Sequence, residues 1–361
     1  MGLLVTHLEF TDFRSYGRLE LEPGPELTIL VGPNATGKTN IIEGIELLTA
    51  AESFRRPSWS DIVRWGADQA RLELRAEGDG RVLDIVMYAT CAGRRSYKVN
   101  GKTRKRVSEV AGIVPCVVFT PDDLRIVKDA AEKRRAAVDG VGDQLSPAYR
   151  GARVEFERIL KHRNSLLREE SLDEEMFALW TSRLAESGVA FSGHRRRLFE
   201  RISAKMSEVY RTLSGGESLV ASHQPSWESR AGTEGEPREL MDRALELRGR
   251  EERGRSVTLV GPHRDEISFA IDGRDARSFA SQGQQRTIAL AWKLAEVGVI
   301  TEIGGQPPVL LLDDVMSELD EARRHALAKF VGEAAQTFVT TTNIGYFEKE
   351  LVDRALVVEL T

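Results

Sequence analysis

Cysteine is nearly absent from this chain: Cys91 and Cys116 are the only two in 361 residues. Two thiols without metal-ligand spacing exclude a disulfide scaffold and point to a reduced, cytoplasmic protein. The six histidines are scattered, and none forms a metal pair. No apolar run approaches the length of a membrane span. The opening residues 1–6 lack the charged and apolar blocks of a secretory signal. Leu4, Thr6, Leu8 and Phe10 alternate instead as one face of a first strand. A dominant charge is missing too: 51 basic residues face 56 acidic ones, for a net charge of −5. Any contact with nucleic acid therefore needs a local basic patch. With 41% hydrophobic and 30% charged residues, the composition is that of a globular protein, and no internal repeat is visible.

Residues 32–39 read Gly32-Pro33-Asn34-Ala35-Thr36-Gly37-Lys38-Thr39. The apolar run 27–31 feeds this segment. A helical pattern follows, with Ile41, Ile42, Ile45 and Leu48 on one face. Strand, glycine-rich loop and helix together form a phosphate-binding loop, whose backbone N–H groups and positive helix end cradle phosphates. Lys38 is placed to reach the β and γ oxygens of a nucleoside triphosphate such as ATP, and the Thr39 hydroxyl to ligate Mg²⁺.

Val309-Leu310-Leu311-Leu312-Asp313-Asp314 reads as a buried parallel strand ending in two carboxylates. Adjacent acids at a buried strand end are costly unless they serve a cation or a reaction. Asp313 is assigned to the Mg²⁺ shell and Asp314 to polarising the attacking water. Ser281-Gln282-Gly283-Gln284 opens another helix, making a second anion site. Because Lys38 already marks one such site, the second suggests a pocket completed by another protomer. Leu213-Ser214-Gly215-Gly216-Glu217 looks similar but precedes a strand-like stretch, 218–222, and reads as a helix-ending turn. Ser281 lies only 32 residues before Asp313 and opens a helix, so the second anion site is placed there.

This layout resembles the ATP-binding-cassette ATPase head. In that family, Ser317-Glu318-Leu319-Asp320 matches the loop that communicates across the dimer. The strand 338–342 ends where a γ-phosphate sensor sits, so Thr342 or Thr341 would have to serve. Along its whole length the chain resembles the RecF family of bacterial recombination-repair ATPases. The matching stretches are Phe10–Tyr16, Ser53-Phe54-Arg55, Phe119–Leu124, Lys133-Arg134-Arg135, Gly261–Asp265, Ser281–Arg286 and Leu311–Asp320. The resemblance implies an α/β, ABC-type P-loop head built from both chain ends, with an inserted mainly helical lid lobe. It implies nucleotide contacts from residues 32–40, Asn40 included, from Arg14, and from Ser281, Gly283 and Gln284. It also implies an ATP-dependent homodimer, binding of double-stranded or gapped DNA, and RecR and RecO as partners in loading recombinase. Relatives often carry glycine where this chain has Ala35; alanine fits there if φ stays negative.

Residues 1–122 and 257–361 are expected to combine into the ATPase head, and 123–256 to form the helical lobe. In that lobe, Phe156 and Ile159 lie on one helical stripe, Ile202, Met206 and Tyr210 on another. The stretch 232–237 reads as a flexible link. Residues 93–106 hold seven basic side chains and no acid: Arg94, Arg95, Lys98, Lys102, Arg104, Lys105 and Arg106. Asn100-Gly101 marks a tight hairpin turn among them, and a basic hairpin suits a phosphate backbone. Arg195-Arg196-Arg197 with Arg201 forms a second patch, equally readable as a solvated helix face. The turn around His263 and Arg264 could meet DNA, the nucleotide or only its own neighbours. Two rival readings share the ATP site: a transporter's ATPase subunit, disfavoured by the basic hairpin, and a P-loop kinase, which needs no Ser281 helix end.

Overall fold

Alternation along the first strand, Leu4–Phe13, is broken by one residue. Pairing shifts between Val5 and His7, so Val5, Leu8 and Phe10 face the core while Leu4 and Thr6 are only half-buried. The expected Leu4–Thr6–Leu8–Phe10 face is corrected by this bulge, since one extra residue swaps the faces of a pleat.

The computed structural model describes residues 2–228, 234–334 and 336–361. The chain divides into two compact units, Met1–Arg125 with Arg286–Thr361, and Ile126–Gln285. The second division falls later than residue 257 because Glu266–Ile271 pairs with Leu219–Gln224 inside the second unit.

The first unit holds two sheets. One is antiparallel, in the order Tyr16–Leu21, Leu4–Phe13, Gln69–Gly78, Arg81–Thr90, Arg95–Val99, Lys102–Arg104. The other is parallel, in the order Leu356–Glu359, Leu27–Val31, Thr337–Thr341, Val309–Asp313, Cys116–Phe119. Its central strands Val309–Asp313 and Thr337–Thr341 are buried at every position, as a sheet covered on both faces requires. The helix Lys38–Thr49 packs in the same core cluster as Phe10 and Leu72 of one sheet and Leu311 and Phe338 of the other. It is therefore buried almost all round, Glu43 and Glu46 included, rather than along the single stripe its periodicity suggested.

The second unit is mainly helical: Ala131–Leu145, Pro147–Leu166, the 41-residue Glu174–Ser214, and Pro237–Arg255. Phe156, Ile159, Ile202, Met206 and Tyr210 are buried as expected of core stripes. A three-stranded antiparallel sheet, Arg274–Asp275, Glu266–Ile271 and Leu219–Gln224, completes it. The expected link at 232–237 falls partly outside the described residues: Gly232 and Thr233 are not described, and Pro237 begins a helix. Among the described residues, no helix is long and apolar enough to cross a membrane.

Glu46 is a sensitive point in the first unit. Its carboxylate accepts the Phe54 N–H at 2.7 Å, and burial raises its pKa to about 8, with the charges of Glu52 and Glu43 adding to the effect. The folded protein thus holds a proton that the unfolded chain has already lost above about pH 4.5. Stability from this group is complete below that pH and declines as pH rises toward 8. Glu46→Gln removes the titration and keeps the acceptor for Phe54. Denaturant melts at pH 5 and pH 8.5 should show the variant gaining on the parent at the higher pH by more than about 1 kcal/mol. Parallel pH profiles for the two proteins would count against a protonated Glu46.

Candidate functional site: a phosphate loop backed by an acidic strand

The phosphate loop joins the strand Leu27–Val31 to the helix Lys38–Thr49. Gly37 is the helix N-cap, at φ 94°, and a Cβ there would meet the Tyr16 hydroxyl at 2.7 Å. Only glycine satisfies both constraints. Having no side chain, Gly37 cannot cap the first turn; the Asn40 N–H donates to the Gly37 carbonyl at 2.8 Å, and those of Lys38 and Thr39 suit a ligand. Lys38 is buried, and its Nζ donates to the Gly32 and Pro33 carbonyls at 2.6 Å each, drawing the loop around its own ammonium. The Thr36 hydroxyl donates to the Pro33 carbonyl, while Asn34 and Ala35 form the exposed tip of the loop.

Behind the loop stands the acidic strand end. Thr39 Oγ1 donates to Asp313 Oδ1 at 2.8 Å. Thr340, paired in register with Asp313 on the adjacent parallel strand, donates to the same oxygen at 2.8 Å. Thr340 Oγ1 in turn accepts the Asp314 N–H at 2.9 Å. Hydroxyl and carboxylate oxygens converging in this way are the hard donor set that Mg²⁺ selects, so Thr39 and Asp313 fit that ion.

Asp314 has left-handed backbone, φ 51°, an uncommon state for a residue with a side chain. Its Oδ1 is buried without a hydrogen-bond partner. Burial raises its pKa above the ordinary carboxylate range, the neighbouring charge of Asp313 raises it further, and Lys38 partly offsets both. A carboxylate with an unused oxygen and raised basicity is suited to accept a proton from water.

Sequence reasoning named Thr341 or Thr342 for the end of this strand. There the Thr341 hydroxyl donates to the Asn343 carbonyl at 3.1 Å, and Thr342 is exposed. The hydroxyl that reaches the acids is Thr340. The available signal was register: Thr340 lies directly opposite Asp313 once the two strands pair.

Arg14 commits three of its five N–H groups within its own unit. It makes a two-pronged bond to Glu43, at 2.9 and 2.6 Å, and donates to the Asp61 carbonyl at 2.8 Å. Arg55 grips the same Glu43 at 3.2 Å and also bonds the Asn40 side chain at 2.8 Å. Asn40 in turn donates to Ser15 Oγ at 3.0 Å. Two guanidinium groups thus share one buried carboxylate, leaving a net positive charge at the flank of the loop. Arg55 lies in the family-matching stretch Ser53-Phe54-Arg55, but only the tertiary contact shows what it bonds.

In the second unit, Ser281 and Gln284 form a reciprocal cap. Gln284 N–H donates to Ser281 Oγ at 3.2 Å, and Ser281 N–H donates to Gln284 Oε1 at 2.9 Å. This is the S-x-x-Q capping box, which fixes the start of the helix Gln282–Gly304. The 261–265 turn is part buried and part exposed: Asp265 lies in the core of its unit, while Arg264 is exposed. Asp265 is fully buried and receives His223 Nε2 at 3.0 Å and the Ser226 N–H at 2.9 Å. His263 meets the Thr258 carbonyl through Nε2, and burial lowers its pKa to about 4, so it is neutral near pH 7 and suited to packing rather than proton transfer. Arg195 of the second basic patch is buried too, bonded to Asp139 at 2.8 Å.

The basic hairpin forms the edge of the antiparallel sheet, as Arg95–Val99 and Lys102–Arg104. Asn100 and Gly101, at φ 49° and 73°, make the expected tight turn. Arg95 departs from its expected role: its guanidinium stacks on Trp59 at 3.8 Å and donates to the Ala51 carbonyl. Arg104 is half-buried. Arg94, Lys98, Lys102, Lys105 and Arg106 remain exposed.

Ala35 sits at φ 69°. The condition under which alanine fits, a negative φ, is not met: the loop tip turns through a left-handed residue. Alanine is strained there by about 1 kcal/mol. Ala35→Gly relieves that strain but loosens the unfolded chain by somewhat less. Chemical denaturation should therefore find the variant as stable as the parent or up to about 0.5 kcal/mol more so. A loss of 1 kcal/mol or more would contradict the left-handed assignment.

Residues 4–359 match the family of RecF/RecN/SMC N-terminal domains. The chain is 37% identical to a DNA replication and repair protein RecF of Synechococcus sp. (strain JA-3-3Ab), over 98% of this chain and 95% of that protein. A solved structure of the recombination mediator protein RecF with ATP, of the RecFOR pathway, superposes with a TM-score of 0.87 at 31% identity, over 96% of this chain and 94% of that one. The Smc head of Pyrococcus furiosus shares the fold, with a TM-score of 0.56 at 18% identity over 99% of this chain and 93% of that one. The chain therefore belongs to the RecF family of ABC-type ATPases.

Proposed function

We propose that this protein is an ATP-dependent DNA-binding protein of recombination and repair, in which ATP closes two copies into a clamp. One observation carries the reading: the hydrogen-bond chain Thr39–Asp313–Thr340–Asp314 behind a complete phosphate loop. Lys38 and the first-turn amides bind the triphosphate, and the surplus positive charge of Arg14 and Arg55 favours it. Thr39 and Asp313 hold Mg²⁺, which when bound neutralises phosphate charge. Asp314 takes a proton from the attacking water. Residues 281–284 of a second protomer meet the γ-phosphate, so the triphosphate is gripped more strongly in the closed pair than in the open one. Hydrolysis then removes the contact and reopens the dimer. RecR and RecO are the partners that the RecFOR pathway of the relatives suggests.

Three substitutions test the cycle. Lys38→Met should abolish nucleotide binding. Asp314→Asn should accumulate an ATP-bound dimer with turnover reduced at least about a hundredfold. Ser281→Arg should bind ATP yet remain monomeric in sedimentation. Normal ATP-driven dimerisation of Ser281→Arg would end the shared-site reading.

For DNA, the exposed cations Arg94, Lys98, Lys102, Lys105 and Arg106 support contact with phosphates. Duplex affinity should then fall with salt at a log–log slope of about −0.9 per phosphate neutralised. Replacing Lys98, Lys102 and Lys105 by alanine should flatten the slope by about 2 to 3 and weaken all sequences alike. An unchanged slope in the triple variant would place the DNA elsewhere.

A further inference from the structure

The segment Leu213–Glu217 resembles a cassette signature but ends a helix. Its role becomes visible in what it touches. The helix Glu174–Ser214 stops at two successive glycines, Gly215 at φ 75° and Gly216 at φ 119°, whose N–H groups both return to the Arg211 carbonyl. These left-handed residues reverse the chain and bring Glu217 against the signature of the same unit. Glu217 Oε1 accepts Gln284 Nε2 at 2.8 Å, and Glu217 Oε2 accepts the hydroxyl of Tyr210, a buried residue one turn before the helix end, at 2.8 Å.

We propose that Glu217, anchored by Tyr210, is a positioning residue for the ATP-dependent dimer because it fixes the Gln284 amide and through it the outward face of Ser281. The inference rests on the shared-site reading above.

The argument is one of hydrogen-bond polarity. An ionised carboxylate only accepts, so the NH₂ end of the Gln284 amide must face Glu217. The carbonyl end must then face Ser281, where it accepts the serine N–H at 2.9 Å. Ser281 Oγ accepts the Gln284 N–H, which leaves the hydroxyl proton as its donor to an anion beyond the helix end. The Ser281 N–H already favours this orientation, and Glu217 doubles the penalty on the flip, which would oppose two N–H groups at the cap and two acceptor oxygens at the carboxylate. Without Glu217 the NH₂ end loses its anchor, and the closed dimer has to order a looser Gln284 when it forms.

The test compares Glu217→Ala, Glu217→Gln and Tyr210→Phe with Ser281→Arg in the full-length protein. Sedimentation in ATP gives the dimer dissociation constant, and a fluorescent ATP analogue gives nucleotide affinity at low protein concentration. Glu217→Ala should raise the dimer constant about tenfold, as expected for a lost charge-assisted bond, with nucleotide affinity within about twofold. Glu217→Gln retains a carbonyl acceptor for Gln284 and should recover most of the loss. Tyr210→Phe should fall between. If Ser281→Arg is monomeric while Glu217→Ala dimerises like the parent, the positioning role is wrong and the shared site stands. If Ser281→Arg also dimerises, the shared site itself fails. Equal losses in Glu217→Ala and Glu217→Gln, together with lowered melting temperatures, would reassign Glu217 to fold support and overturn the proposal.

Discussion

One carboxylate oxygen, Asp313 Oδ1, ties the first unit together where chemistry is expected. It receives a hydroxyl proton from the helix that follows the phosphate loop and another from the neighbouring strand. Buried carboxylates are stable only when their lone pairs are satisfied, and two short hydroxyl bonds achieve that here. The same bonds hold the strand end, the first turn of the helix and the backbone of Asp314 in one geometry. The left-handed conformation of Asp314 depends on this support, because its amide is held by Thr340. Strain concentrated beside a satisfied neighbour is a pattern of functional sites, and Asp314 carries the unused oxygen.

The second unit solves a different problem. Its core includes buried charge: Arg163 on Glu252 at 2.6 Å, and Asp265 encircled by His223, Ser226 and Arg195. Such pairs add little stability compared with apolar packing, but breaking one partner is expensive. They therefore enforce one arrangement of helices more than they strengthen it. In this setting Asp265 and the neutral His263 anchor the 261–265 turn to its own unit.

Charge is distributed locally rather than globally. The chain is acidic overall, yet its hairpin edge exposes a run of cations with no acid in the sequence between them. An edge strand crowded with lysine and arginine also resists pairing with other strands. Arg95 shows how tertiary packing subdivides such a run, since its stacking on Trp59 diverts one cation into the body of the unit.

Much of the site was legible along the chain. The phosphate loop and the acidic strand announce themselves because each is a contiguous segment whose side-chain types follow from local chemistry. The hairpin turn and the helix-ending glycines were readable for the same reason: backbone conformation there is set by one or two residues. What adjacency cannot express was decided by the fold. Thr340 became the partner of Asp313 only through parallel strand register, and Arg14 and Arg55 converged on Glu43 only when separate segments met. Val5 displaced Leu4 from the core through a bulge, and Ala35 took a conformation its side chain disfavours because the loop required it. Sequence alone determined which groups could bind phosphate and metal. Tertiary structure determined which hydroxyl, cation and carboxylate stand within hydrogen-bond reach, because a bond of 2.8 Å joins Thr39 and Asp313, 274 positions apart in the chain.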